Sequence, residues 1–210
     1  MTCLRLKLQN NMLGTIFVVL AATLAAGLFS APAKAQAIES AYTALDLDKC
    51  RHTKGKQEED YGEWRCTGFG GIAVYVSAGD QRTYVSYGRN AKSEPAAKQT
   101  LASFNGEGKK IEWRAERGND GKLKPFATIM RWSTTVSSGD GPVEGEVLVV
   151  TRLAPGGICH VGCVDAKANP DANALAQKLA DEHARKFRCG ADKPIVLGKK
   201  GVGFSGPYDR

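Results

Sequence analysis

The first 37 residues combine basic residues, an apolar run and a cluster of small residues, in that order. Arg5 and Lys7 precede an uncharged run over 12–29, and small residues follow it. This order is typical of a secretory signal peptide, so we expect cleavage after Ala35 or Ala37. An uncleaved membrane anchor is the alternative, and it is disfavoured because the run is barely long enough to span a bilayer. The leader therefore predicts a mature domain that folds in the periplasm or as a secreted protein.

The rest of the chain is about 175 residues long, which suits one domain with a sizeable core. It contains no second long apolar segment, so we expect a soluble domain without a membrane span. Three of the 29 basic residues lie in the leader, which leaves 26 against 22 acidic residues. Because both signs are interspersed, the charge pattern is that of a mixed surface and does not favour a nucleic-acid partner.

Five cysteines follow the leader, and an oxidising compartment favours their pairing. Cys50 and Cys66 bracket a hydrophilic segment, and a disulfide between them would stabilise it by about 3 kcal/mol. Cys189 is expected to pair with Cys159 or Cys163. We favour Cys159, because it lies beside a Pro-Gly-Gly turn. Cys159 and Cys163 are four residues apart in a predicted strand, so their side chains should point to the same side of that strand. Cys163 would then be a free thiol or would join two copies of the chain.

Short runs rich in Val, Ile, Tyr and Thr predict an antiparallel meander in the first half of the mature chain. Turns that contain glycine separate the runs 64–67, 72–77 and 83–87. Ile72, Val74 and Val76 alternate with other residues, which is the period of a strand with one buried face. Further strands are predicted at 111–114, 126–134, 146–153 and 158–164. The last two should form a hairpin, and 146–153 is apolar on both faces, as in a central strand.

Helix signals are concentrated at 170–188. Asn169 is the expected N-cap, Pro170 stands at the first helical position and Gly190 follows the end. A shorter helix is predicted at 94–104, and a loose tail at 198–210. The elements predict one α+β domain over 38–197, in which an antiparallel sheet of about six or seven strands carries one long C-terminal helix and one shorter helix.

No motif predicts a catalytic, cofactor-binding or metal-binding residue. Cys159 and His160 are adjacent in a predicted strand and should point to opposite faces, so the histidine is badly placed to activate the thiol. His52, His160 and His183 lack the spacing of metal ligands. We therefore expect no cofactor and no enzymatic activity.

Aromatic residues give the one indication of binding. Tyr75, Tyr84 and Tyr87 lie on paired predicted strands with Arg82 close by. Such a row can stack on a ligand, but it more often packs in a core or pairs across strands. Both interpretations remain open at this point.

The segment 62–68, Cys159-His160-Val161-Gly162 and the Asn169-Pro170-Asp171 helix start resemble small exported bacterial proteins that have no assigned function. The resemblance implies no activity and assigns no residue a role. We expect a non-enzymatic binding or structural role, with an unknown protein or a component of the cell envelope as partner. The alternatives are an inhibitor of a secreted enzyme, or a hydrolase or redox enzyme with an unrecognised site.

Overall fold

A computed structural model describes residues 37–54, 61–153 and 157–209. The predicted signal peptide lies outside the described residues, apart from its last position. The described ranges contain one α-helix, α1 (Ala172–His183), and twelve strands. The strands are β1 (Ile38–Ala44), β2 (Arg51–Lys54), β3 (Tyr61–Thr67), β4 (Ala73–Gly79), β5 (Arg82–Tyr87), β6 (Gln99–Leu101), β7 (Phe104–Arg117), β8 (Leu123–Ser138), β9 (Gly141–Arg152), β10 (Cys159–Asp165), β11 (Ile195–Val196) and β12 (Pro207–Asp209).

The strands form a six-stranded sheet, a four-stranded sheet and a two-stranded ribbon. The six-stranded sheet has the order β1-β7-β8-β9-β10-β11, and all its pairs are antiparallel except β10 with β11. The four-stranded sheet is the antiparallel series β2-β3-β4-β5, and the ribbon pairs β6 with β12. The predicted meander, the central position of β9 and the β9–β10 hairpin are confirmed.

Two cores lie on opposite faces of the six-stranded sheet. The first core separates this sheet from the four-stranded sheet and includes Val76, Trp113 and Trp132. The second core lies between the six-stranded sheet and α1, and includes Val150 and Leu179. Along β9, Val149 enters the first core and Val150 the second, so the apolar run of this strand is explained by burial on both faces.

The predicted α+β class is wrong, because the chain is mostly β and the helical part is small. The long helix predicted at 170–188 is limited to the twelve residues of α1. Asp171, and not Asn169, stands at its N-cap position. The Asn169 side chain instead donates hydrogen bonds to the carbonyls of Asp165 and Lys199, at 2.9 and 2.8 Å. It therefore ties the chain before the helix to the chain after β11.

The shorter helix predicted at 94–104 is also wrong. Only Pro95–Lys98 turns, as a 3-10 helix, and β6 follows it directly. Hydrogen bonds to distant parts of the chain hold this path. The Ala96 N–H donates to the Ile158 carbonyl at 2.9 Å, and the Thr100 hydroxyl donates to the Thr83 carbonyl at 2.7 Å. Long-range hydrogen bonds thus override a local helix preference.

The carboxyl-terminal segment, for which the composition predicted a loose tail, makes ordered contacts over 199–209. β12 pairs with β6. The Ser103 N–H donates to the Ser205 hydroxyl at 2.9 Å, and the Gly201 N–H donates to the Asp165 carboxylate at 2.7 Å. A Cβ built on Gly145 of β9 would clash with the Gly203 carbonyl oxygen, so glycine lets this segment lie close against the six-stranded sheet.

Disulfides join Cys50 to Cys66 and Cys159 to Cys189. The expectation that Cys159 and Cys163 share a strand face is wrong. The β9–β10 register shifts between His160 and Gly162, so one extra residue in β10 reverses the side-chain alternation. Cys159 consequently lies in the second core beside α1, and Cys163 lies in the first core.

No helix in the described ranges is long and apolar enough to cross a membrane.

Candidate functional site

The outer face of the four-stranded sheet, which points away from the first core, carries a row of polar and aromatic side chains. Alternation along β3, β4 and β5 places Val74 and Val76 inside and Tyr75, Ser77 and Tyr84 outside. A cavity of about 620 Å³ opens over this face. We call it the tyrosine cavity. Its lining includes Tyr61, Glu63, Tyr75, Ser77, Tyr84, Lys92 and Lys98.

Glu63 organises the floor of the tyrosine cavity. Glu63 is only 4% exposed, and its two carboxylate oxygens accept hydrogen bonds from the Lys92 ammonium at 2.7 and 2.8 Å. The Tyr61 hydroxyl donates a third hydrogen bond to the same carboxylate. The Lys92 ammonium also lies 5.9 Å from the centre of the Tyr75 ring. One buried carboxylate therefore fixes an ammonium and a phenol at the mouth of the cavity.

The protonation states follow from these contacts. Burial by itself raises the pKa of the Glu63 carboxyl, but hydrogen bonds from Lys92 and Tyr61 outweigh it and hold the pKa below its ordinary value. Burial is the main cause that raises the pKa of the Tyr61 and Tyr75 hydroxyls. At neutral pH the site thus presents protonated phenols and an ammonium around an ionised carboxylate, which is a poor proton donor for acid catalysis.

The structure separates the four residues predicted as a ligand face. Tyr75 and Tyr84 line the tyrosine cavity. Tyr87 belongs to the first core, where its ring meets the Trp113 ring edge-on at 5.6 Å. Arg82 lies outside the cavity lining, with its guanidinium 5.5 Å from the Phe104 ring centre. Tyr87 therefore packs in the core and lies on the inner side of the sheet.

Sequence reasoning missed Tyr61, Glu63 and Lys92. The available signal was the two-residue spacing of Tyr61 and Glu63 in β3, which places both on one face of the strand. Lys92 gave no signal, because it lies in a short 3-10 turn, Ala91–Ser93, that only the fold brings over the sheet. Its contact with Glu63 joins positions 29 residues apart in the chain.

The histidines and the free cysteine are dispersed. His52 stacks on Trp64 at 5.2 Å, and His160 is buried with its ring edge-on to Trp132 at 6.0 Å. Cys163 is 1% exposed, and burial raises the pKa of its thiol to about 12. A disulfide with a second copy of the chain would require a local opening of the fold that exposes this sulfur. Among the described residues no group of three or more His, Cys, Asp or Glu side chains could hold a metal ion.

A second cavity, of about 570 Å³, lies where α1 crosses the six-stranded sheet. Its polar groups already bond to one another. The Arg131 guanidinium donates to the Glu146 carboxylate at 2.6 Å, and the Gln177 amide donates to the Glu112 carboxylate at 2.8 Å. These bonds connect strands and helix, so we assign them a structural role.

The tyrosine cavity is thus the better candidate, because its aromatic rings, ammonium groups and buried carboxylate converge on one open volume. A ligand there would meet rings for stacking and hydrogen-bond donors in fixed positions. No protein-family model, curated protein or solved structure matches the chain.

Proposed function

We propose that the chain is an exported, non-enzymatic domain that binds a component of the cell envelope in the tyrosine cavity. One observation carries this proposal: the ionised, nearly buried Glu63 holds Lys92 and Tyr61 at the cavity mouth. Burying a carboxylate is costly unless it is paired and hydrogen-bonded. Here the pairing also gives two ligand-facing groups a fixed geometry, which reduces the entropy that binding must overcome.

Two disulfides support the location outside the cytoplasm. Both join elements of one chain, and such bonds persist in oxidising compartments. The predicted signal peptide at residues 1–37 also favours export from the cytoplasm. Catalysis is less well supported at this site, since the Glu63 carboxyl is ionised and engaged by three hydrogen bonds.

The first experiment measures co-sedimentation of the purified mature protein with envelope fragments from the producing cells. We expect saturable binding that Tyr61→Ala weakens about five- to tenfold, since it removes an aromatic surface and a phenol. Tyr42→Ala is the matched control. Tyr42 lies in β1 of the other sheet, and the two tyrosines are similarly exposed, at 54% for Tyr42 and 43% for Tyr61.

Equal weakening by Tyr61→Ala and Tyr42→Ala would contradict the proposal, and so would the absence of binding by the wild-type protein. Circular dichroism spectra and melting temperatures of both variants show whether any loss comes from unfolding. Glu63→Gln gives a second variant, because it removes the charge that fixes Lys92 while keeping the side-chain size.

A further inference from the structure

Three arginines lie beside the tyrosine cavity on the four-stranded sheet. Arg51 and Arg65 stand directly opposite each other in the β2–β3 pair. The Arg65 guanidinium donates to the Arg89 backbone carbonyl at 3.2 Å. Arg65 is also two residues from Glu63 along β3, so both side chains lie on the outer face. We call Arg51, Arg65 and Arg89 the arginine cluster, and all three residues are exposed.

The charge of the arginine cluster is not balanced within the described residues. No carboxylate there lies within ion-pair distance of its three members. Six other arginines have such partners, namely Arg82, Arg114, Arg117, Arg131, Arg185 and Arg188. Like charges directly opposite each other across two strands destabilise a sheet. The pairing of Arg51 with Arg65 is thus a local cost that an anionic ligand would relieve.

The charged groups of the tyrosine cavity add to the positive charge of the arginine cluster. Its buried carboxylate, Glu63, is neutralised by Lys92. Asp80, at the rim, lies 3.4 Å from the Arg82 guanidinium. Lys98 lines the cavity without a carboxylate within ion-pair distance among the described residues. Counted over the described residues alone, this face carries a net positive charge next to aromatic rings.

We infer that the ligand is an acidic polysaccharide of the cell envelope, which carries carboxylate or phosphate groups along its chain. This inference rests on the proposed function. Sugar rings would pack on the tyrosines, and the acidic groups would meet the forked donors of Arg51 and Arg65, which suit both anions. Tyr61 and Arg65 are four residues apart on one strand face, about 13 Å at strand rise. An extended chain can reach both, whereas a single small anion cannot.

The test measures binding of the full mature protein to three probes by calorimetry. The probes are an oligogalacturonate, which carries carboxylates, a phosphomannan fragment, which carries phosphates, and a neutral galacto-oligosaccharide of matched length. We expect one or both acidic probes to bind, and to bind at least tenfold more tightly than the neutral probe. Binding should weaken as ionic strength rises from about 0.01 M to about 0.1 M, because the Debye length falls from about 30 to about 10 Å. The tighter acidic probe identifies the anion.

Variants assign the effect to the arginine cluster. We expect Arg51→Gln and Arg65→Gln each to weaken acidic-probe binding about tenfold, the effect of losing charge-assisted hydrogen bonds. Lys178→Gln is the matched control, since it removes one exposed positive charge on α1. The melting temperature of Arg65→Gln should equal or exceed that of the wild type, because the repulsion with Arg51 is removed. A purely structural role for Arg65 would lower it.

Three results would overturn the inference: equal binding of neutral and acidic probes, binding of none of the probes, or an equal effect of Lys178→Gln. The proposed function would stand in each case if envelope binding still depended on Tyr61. If the wild-type protein does not bind the envelope at all, the proposed function fails and this inference fails with it.

Discussion

His160 is a polar side chain in an apolar setting. It is 2% exposed, and neither ring nitrogen has a hydrogen-bond partner among the described residues. Its ring packs edge-on against Trp132 in the first core. Because burial penalises the charged imidazolium, the pKa of His160 is lowered to about 4. The neutral ring is therefore the form that the fold accepts.

This burial predicts a pH dependence of stability. The folded-state pKa of about 4 lies below the unfolded value of about 6.5, so the unfolded chain takes up the proton first as pH falls. The contribution of neutral His160 to the free energy of unfolding is fully present above pH 6.5. It should decrease by about 3 kcal/mol as pH falls to about 4. Urea unfolding at a series of pH values measures this decrease.

The control for this prediction is a pair of variants. His160→Leu should be at least as stable as the wild type at pH 7, because no side-chain hydrogen bond is lost, and it should lack most of the acid-dependent decrease. His183→Gln, at a half-exposed position on α1, should retain that decrease. Identical pH profiles for wild type and His160→Leu would contradict the assignment.

At the scale of elements, α1 is attached to the six-stranded sheet by an ion pair with a buried arginine as well as by apolar packing. The Arg114 guanidinium of β7 donates to both carboxylate oxygens of Asp181, at 2.9 and 2.6 Å. Arg114 is buried, and its other contacts include the Ser40 hydroxyl. Arg117, three residues further along β7, makes a similar fork with Glu39, but in solvent.

This contrast predicts unequal effects of two matched substitutions. Arg114→Met should lower the free energy of unfolding by about 2 kcal/mol, since Asp181 loses its partner in a half-buried position. Arg117→Met should change it much less than Arg114→Met does, because exposed pairs contribute little. Chemical denaturation of both variants gives the comparison. Effects of equal size would show that the Arg114 pair does not anchor the helix.

The helix itself shows where sequence signals mislead at this scale. The helix α1 buries Ala172, Ala176 and Leu179, which recur at three- and four-residue steps as in a stripe that packs on a sheet. Its predicted length and cap were wrong, because Asn169 bonds to residues that only the tertiary structure brings near. The segment after Pro95 likewise follows hydrogen bonds to Ile158, to His160 of β10 and to β12, which no local window contains.

For the whole molecule, the six-stranded sheet is shared by both cores. Strands β8, β9 and β10 contribute side chains to each core, so neither core is complete without this sheet. Trp113 and Trp132 lie in the first core, whereas Leu179 of α1 lies in the second. Loss of packing in one core should therefore destabilise the other core as well.

We expect one cooperative unfolding transition, even when the second core is damaged. Leu179→Ala should lower the free energy of unfolding by about 2 to 5 kcal/mol, the range for a buried leucine. Tryptophan fluorescence, which reports on the first core, should shift together with far-ultraviolet circular dichroism. Val202→Ala, at an exposed position, should leave both curves unchanged. Separate transitions in Leu179→Ala would contradict the coupling.

The sequence by itself determined the strands of the meander and the β9–β10 hairpin. These features follow from side-chain periodicity and turn residues, which act over a few positions. It also placed Tyr75 and Tyr84 on paired strands, although it grouped them with Tyr87 as one possible ligand face. A strand pattern shows which residues share a face, but not which face is covered.

Only the tertiary structure decided the rest. The bulge in β10 reversed the alternation between Cys159 and Cys163, and long-range hydrogen bonds replaced a predicted helix with β6. The tyrosine cavity depends on the contact between Glu63 and Lys92, and the arginine cluster depends on the β2–β3 register. Each feature depends on which residues of two strands or segments are paired. That pairing contributes energy only after the chain between them has closed, so a local sequence pattern does not reveal it.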